Sequence, residues 1–174
     1  MITQKRFFQI PSYILAEQQK NPLTQDLYLC QLAELSISPG TLWIENARLE
    51  NHLLIYCTKG GGILNIAGDS VPVNANQYCI IPENFEFRMQ SIATDSSAFF
   101  ACKFNGTKSK IMEKDFTVVR DLMPSVNNLV ANRQMLFDEL FNNLNKGFYN
   151  ANYVYINLTF GHLLATFLYA RDIS

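Results

Sequence analysis

With 174 residues, of which 48% are hydrophobic and 17% charged, the chain can bury a sizeable core and is too apolar to be disordered. Its 14 Lys and Arg residues are balanced by 15 Asp and Glu residues, which gives a net charge of −1. This balance argues against a chain that grips nucleic acid by itself, because such proteins normally carry a basic face.

The first residues and the cysteines indicate the compartment. Residues 1–14 lack the apolar segment of a signal peptide, and the sequence has no run of about 18 apolar residues that could span a membrane. The 4 cysteines form no CxxC pair and lie in apolar segments, which is typical of buried, reduced thiols. The sequence therefore predicts a cytoplasmic protein without membrane attachment.

Residues 1–26 show no regular hydrophobic period. Pro11 and Pro22 interrupt them, yet Phe7, Phe8 and neighbouring apolar residues need to be buried. We therefore expect an irregular N-terminal arm that lies across the body of the protein.

Residues 27–122 have the rhythm of a β-domain. Short strand-like segments are separated by turns, and Gly68-Asp69 between two apolar runs is a hairpin signal. The segments are 27–35, 41–46, 52–58, 63–67, 77–81, 85–89 and 97–104. Because no helical pattern lies between them, a sandwich or barrel is favoured over a parallel α/β sheet.

The pattern changes near Pro124, and residues 123–174 predict two helices. The first has apolar residues at three- and four-residue steps, with Ser125 as the expected N-cap and Gly147 as the C-cap. The second covers about residues 152–170 and is apolar around most of its circumference, so that part of its surface needs a further partner.

Residues 52–89 resemble the ligand-binding domain of AraC-type transcription regulators. The matching features are an aliphatic strand ending at Tyr56, the glycine turn 60–62, a strand leading to Gly68 and a strand ending at Pro82. The resemblance extends over about residues 20–170. It implies a mainly β fold, in which a cupin-like antiparallel β-barrel of jelly-roll type precedes an antiparallel helix pair.

The same resemblance implies a function. In this family the domain senses a small molecule and dimerises, and a helix-turn-helix domain follows it. We therefore expect a homodimer that binds a small-molecule effector and reaches DNA only through a domain downstream of Ser174.

Many cupins hold a metal, which requires about three histidines and a carboxylate. This chain has only His52 and His162, and Phe87 stands where many cupins carry a motif histidine. Neither the carboxylates nor the histidines are spaced as a catalytic pair or triad. The sequence therefore predicts no metal, no cofactor and no catalytic residues.

Strand alternation places Phe99, Ala101 and Lys103 on one face of their strand, and the resemblance directs that face into the effector cavity. The predicted ligand-binding residues are Trp43, Glu45, Arg48, Tyr56, Arg88, Phe99 and Ala101. Their aromatic character suits a sugar, and an aromatic or amphipathic effector is the alternative.

The expected dimer interface lies on the second helix. Its predicted residues are Tyr153, Ile156, Phe160, Leu164 and Phe167. Two alternatives to the sensing function stay open at this point. A metal-free cupin-like enzyme would need a catalytic carboxylate pair in the cavity, and a purely structural dimerisation module would have a barrel filled by side chains.

Overall fold

The computed structural model describes residues 1–45, 47–122 and 127–169, and for 127–131 it describes the backbone alone. The strands are β1 Ile2–Gln9, β2 Tyr28–Ile37, β3 Leu42–Ile44, β4 His52–Lys59, β5 Gly61–Ile66, β6 Asp69–Asn74, β7 Gln77–Ile81, β8 Arg88–Ser91, β9 Ser97–Asn105 and β10 Arg120–Asp121. The helices are α1 Ser12–Lys20, α2 Asn127–Leu144 and α3 Asn150–Leu168, with a 3₁₀ helix at Ser109–Asp115.

The strands form two antiparallel sheets, ordered β1-β2-β9-β4-β7-β10 and β3-β8-β5-β6. The strands β2-β9-β4-β7 and β3-β8-β5-β6 together make the two four-stranded layers of a jelly roll, the architecture of cupins. The helix pair is antiparallel, because Arg133 of α2 contacts Thr166 of α3 while Asn143 contacts Asn152. The predicted fold class is thus confirmed.

The central strands of the six-stranded sheet are buried on both faces. In β4, Leu53 and Ile55 point between the two sheets, while Leu54 and Tyr56 point towards α2 and α3. This double burial explains why β4 is almost continuously apolar, since neither face of the strand meets water.

The expectation of an irregular arm at residues 1–26 is wrong. β1 pairs antiparallel with β2 from Ile2 opposite Ile37 to Gln9 opposite Gln31, and α1 follows. As an edge strand with many exposed side chains, β1 carries no clear hydrophobic alternation. Its order comes from the hydrogen bonds that β2 offers.

β6 is not among the predicted strand segments, and it contains Pro72. It is one of the two edge strands of the four-stranded sheet, a position that tolerates a residue without a backbone N–H. The predicted hairpin before it is confirmed, although Ala67 and Gly68, both with positive φ, occupy the turn.

α3 begins two residues before the predicted start at 152, and Gly147, with φ +106°, follows the end of α2 as expected. The predicted N-cap Ser125 lies outside the described residues. Among the helices that the structure describes, none is both long and apolar enough to cross a membrane.

Candidate functional site

The space between the two sheets is a packed apolar core. The Trp43 ring meets Phe87 edge-on at a centroid distance of 4.6 Å and lies 6.1 Å from the ring of Phe99. Ala101 is buried in the same cluster, which draws on both sheets. Three of the predicted ligand-binding residues therefore form core contacts with their own chain, and they line neither of the two clefts described below.

The structure places Tyr56 on the opposite side of the sheet from these residues. Its ring packs against Phe100, Phe137 and Phe167, beneath the helix pair. The prediction that Tyr56 shares a cavity wall with Trp43 and Phe99 is wrong. Successive residues of β4 alternate between two buried faces, and the sequence gives no polar side to distinguish them.

A polar cleft lies where the chain after β3 meets β2 and β9. The Glu45 carboxylate, just after β3, forms an ion pair with the Lys103 ammonium group of β9, with 3.0 Å between Oε1 and Nζ. The pair connects the two sheets, and both side chains are half-buried. The cleft has a volume of about 210 Å³, and we call it the mouth cleft. Its lining residues are Gln9, Cys30, Gln31, Glu45, Ala47, Arg48, Leu49, Glu50, Asn51 and Lys103.

The N-terminal strand β1 contributes to the mouth cleft. The side-chain amide of Gln9, at the end of β1, donates a hydrogen bond to the backbone carbonyl of Cys30 at 3.3 Å. The Cys30 thiol is buried, and burial raises its pKa to about 12. Cys30 is therefore a protonated, unreactive wall residue at neutral pH.

The two predicted arginines are exposed. Arg48 donates a hydrogen bond to the backbone carbonyl of Asn84 at 3.1 Å and stands between the mouth cleft and a second, open cleft of about 690 Å³. Arg88 lines only the second cleft, beside Asn65. The structure thus brings Arg48 together with Glu45 in one cleft and with Arg88 in the other.

Sequence reasoning missed a buried pair formed by His52 and Ser109. His52 Nδ1 accepts a hydrogen bond from the Glu83 backbone N–H at 3.0 Å, and its Nε2 lies 3.0 Å from Ser109 Oγ. Burial lowers the pKa of His52, against the opposing effect of the Glu83 charge. A neutral ring that accepts at Nδ1 carries its proton on Nε2, so it donates to Ser109 and cannot take a proton from it.

Ser109 lies in the 3₁₀ helix, 57 residues after His52, and no spacing motif joins the two. Only the folded structure brings the two side chains together. Within the described parts of the chain, no three His, Cys, Asp or Glu side chains are grouped as a metal site requires. The absence of a metal stays a prediction.

The five predicted interface residues of α3 face their own chain. Phe160 contacts Phe104 of β9 at a centroid distance of 5.5 Å, and Phe167 contacts Tyr56 at 5.1 Å. Tyr153, Ile156 and Leu164 are buried in the same cluster. The predicted location of the interface is therefore wrong, because the outer face of the six-stranded sheet is itself apolar and α3 covers it.

The opposite face of α3 remains partly exposed. Its residues recur at alternating steps of four and three, and we call them the outward stripe. They are Ala151, Tyr155, Leu158, His162 and Ala165 of α3, together with Tyr169 directly after its end. Leu158 has 58% of its surface exposed, a high fraction for a leucine at the centre of a helix.

No protein-family model and no curated protein matches the sequence. Among solved structures, the chain is similar to an RmlC-like cupin family protein from Methanocaldococcus jannaschii (12% identity, 64% of this chain and 85% of that one, TM-score 0.44). It is also similar to a cupin 2 conserved barrel domain protein from Salinispora arenicola (10%, 65% and 82%, TM-score 0.42). A Photorhabdus luminescens protein shares 18% identity over 47% of this chain and 66% of that one, with a TM-score of 0.40. Because these TM-scores are below 0.5, the fold assignment rests on the strand order described above.

Proposed function

We propose that this cupin-fold chain is the small-molecule-sensing and dimerisation domain of an AraC-type transcription regulator. The observation that carries the proposal is the mouth cleft, where a half-buried ion pair between Glu45 and Lys103 joins the two sheets. A molecule that enters there meets charged groups, side-chain amides and the end of β1 at Gln9. Binding would therefore bias the position of the N-terminal strand relative to the barrel.

β1 in turn contacts the helix pair. Arg6 of β1 forms ion pairs with Glu34 of β2 and Asp138 of α2, at 2.6 and 3.0 Å. Its guanidinium also lies over the Phe141 ring at 4.2 Å. These contacts give a continuous physical connection from the mouth cleft to α2, which a sensing domain needs in order to transmit occupancy.

The packed barrel interior favours a second candidate function, a purely structural dimerisation module. In that case the Glu45–Lys103 ion pair only clamps the two sheets together. A thermal-shift screen of small metabolites separates the two candidates, since a ligand at 100 times its Kd stabilises a protein by about 2.7 kcal/mol. Sensing requires a ligand that raises the melting temperature of the wild type. Lys103→Met should abolish this thermal shift, and Arg88→Gln in the neighbouring cleft should retain it. A screen without any shift would favour the structural module.

The alternative of a metal-free enzyme has its strongest candidate in His52 and Ser109. The hydrogen bond from the Glu83 N–H to Nδ1 supports the non-catalytic proposal, because it leaves His52 as a donor towards Ser109. A serine-directed fluorophosphonate should therefore leave Ser109 unmodified in the folded protein. Stoichiometric labelling of Ser109, detected by mass spectrometry, would favour the enzyme.

We further propose that the domain is a homodimer formed by antiparallel contact of two outward stripes. A two-fold axis near position 160 places Ala151 opposite Tyr169, Tyr155 opposite Ala165 and Leu158 opposite His162 of the second copy. Each large aromatic ring then meets an alanine, so the stripe is complementary to itself in size as well as in spacing. Two further domains attached to the dimer, each a helix-turn-helix, would contact DNA in this proposal.

Light scattering after size exclusion tests the dimer. Leu158→Glu should give a folded monomer, because the substitution places a charge in the centre of the interface. Ile92→Glu, at an exposed position directly after β8 and away from α3, is the matched control and should remain dimeric. A wild-type monomer at micromolar concentration, or a dimeric Leu158→Glu variant, would contradict the proposed interface.

A further inference from the structure

The charges of the mouth cleft identify the chemical class of its ligand. The lining contains two acids, Glu45 and Glu50, and two bases, Arg48 and Lys103. Around them stand neutral amides, among them Gln31. The formal charge of the lining is thus zero, although the charges themselves are separated. A ligand with a net charge would leave one of these groups uncompensated, and a cleft of this kind favours a molecule that carries both signs.

The ion pair has a further property that favours such a molecule. The Glu45 carboxylate and the Lys103 ammonium group are 3.0 Å apart and half-buried, and each is the other's only ion-pair partner among the described residues. A neutral sugar that entered between them would separate the two charges and would offer each of them hydrogen bonds but no opposite charge. A zwitterion returns an ammonium group to Glu45 and a carboxylate to Lys103, so both charges remain compensated.

The size of the cleft limits the ligand. Its volume of about 210 Å³ lies below the roughly 300–1,000 Å³ typical of sites for drug-sized ligands. The buried Leu49 closes one side, and the packed cluster around Trp43 fills the barrel beneath it. A small molecule with closely spaced charges fits this space, and a long or aromatic effector does not.

We infer that the mouth cleft binds a free amino acid or a similarly small zwitterion, with its ammonium group on Glu45 and its carboxylate on Lys103. This inference rests on the proposed sensing function and narrows it from small molecules in general to one class. Insertion of the ligand separates Glu45, which follows β3, from Lys103 of β9. The ligand thus replaces a direct contact between the two sheets with a bridged one, next to Gln9 of the N-terminal strand.

Isothermal titration calorimetry on the whole chain tests the inference. The probes are the common L-amino acids, each compared with its des-amino acid and its decarboxylated amine, together with a set of monosaccharides. At least one amino acid should bind, with at least tenfold weaker binding of both its matched acid and its matched amine. Glu45→Gln and Lys103→Met should each weaken that binding at least tenfold, and Lys103→Arg should restore most of it. The exposed Lys59→Met is the matched control and should bind as the wild type does.

The outcomes separate this inference from the proposed function. Binding of a monosaccharide that depends on Lys103, without binding of any amino acid, would overturn the zwitterion and keep the sensing function. Amino-acid binding that survives both Glu45→Gln and Lys103→Met would overturn the site. A chain that binds none of the probes, and that shows no shift in the wider thermal screen, would overturn both. Circular dichroism of each variant checks that the fold is intact.

Discussion

The side chain of Asn157 in α3 accepts a hydrogen bond from the backbone N–H of Leu29 in β2, with 2.8 Å between Oδ1 and the amide nitrogen. Leu29 borders a register shift in the pairing of β2 with β9, where the chain is irregular and the ladder is locally disrupted. The amide group of Asn157 also donates to Gln18 Oε1 of α1 at 2.6 Å. One buried polar residue thus fixes α1, β2 and α3 relative to one another.

Asn157→Leu should lower the free energy of unfolding by about 1–3 kcal/mol, because it removes the partner of a buried backbone N–H. Urea unfolding followed by circular dichroism measures the loss. Asn142→Leu, at an exposed position of α2, is the matched control and should change stability by less than about 0.5 kcal/mol. Equal stabilities for the two variants would mean that water replaces Asn157 at the strand irregularity.

The sequence predicted the strands of the barrel well because their turns are explicit. Each of the seven predicted segments overlaps an observed strand, and the change to helices near Pro124 leads to α2 and α3. The strands that it missed, β1, β6 and the short β10, lie at the edges of the sheets. The side chains of β1 and β6 are mostly exposed, β6 contains Pro72, and β10 has only two residues, so these three strands lack a clear hydrophobic alternation.

The sequence does not indicate which face of an element that is apolar on all sides packs against which neighbour. α3 is apolar around most of its circumference, so its sequence does not say which face meets the sheet and which remains free. Phe160 and Leu158 are both large and apolar, yet Phe160 is buried and Leu158 is exposed. The same ambiguity placed Tyr56 on the wrong face of β4. In each case the answer depends on a second layer that packs from far away in the sequence.

Arg133 is a buried cation whose removal need not weaken the fold. Its guanidinium donates to the Thr166 carbonyl at 2.7 Å and lies 5.1 Å from the Phe167 ring, and its Nε has no hydrogen-bond partner among the described residues. Burial lowers its pKa, against the opposing effect of a side-chain hydrogen bond with Tyr56. Replacing a buried charge with an apolar side chain of similar size is often neutral or stabilising.

Arg133→Met should therefore keep the free energy of unfolding within about 1 kcal/mol of the wild type, or raise it. Arg133→Ala should lower it by about 2 kcal/mol or more, because it also leaves a cavity beneath α2 and α3. The comparison of the two variants in urea separates charge from volume. A methionine variant as unstable as the alanine variant would show that the charge itself holds the helix pair.

The four thiols should make stability fall in alkaline solution. Burial raises the pKa of Cys57 to about 11 and of Cys30 and Cys79 to about 12, and it raises the pKa of Cys102 as well. In an unfolded chain a thiol has a pKa of about 8.5. Above that pH the unfolded chain loses protons that the folded chain keeps, so the stabilising contribution is complete below about pH 8.5 and is lost as pH rises.

Between its unfolded and folded pKa values, each thiol should lower the free energy of unfolding by about 1.4 kcal/mol per pH unit. Urea titrations at several values from pH 8 to 10 measure the slope. Cys79→Ala should reduce this slope by the contribution of one thiol. The reduction is expected even if the substitution itself changes the free energy of unfolding at pH 8. A slope that is unchanged in this variant would show that other groups, such as tyrosines, cause the alkaline loss.

His52 should make the free energy of unfolding decrease as pH falls into the mildly acid range. It is buried, and burial lowers its pKa below the ordinary histidine value. As pH falls past about 6.5, the unfolded histidine takes up a proton before the folded one does, so stability is lost by at most about 1.4 kcal/mol per pH unit. His52→Gln should flatten the stability profile between pH 7 and 5. Because Nδ1 must stay unprotonated to accept the Glu83 N–H, equal pH profiles for the wild type and His52→Gln would mean that this hydrogen bond is absent in solution.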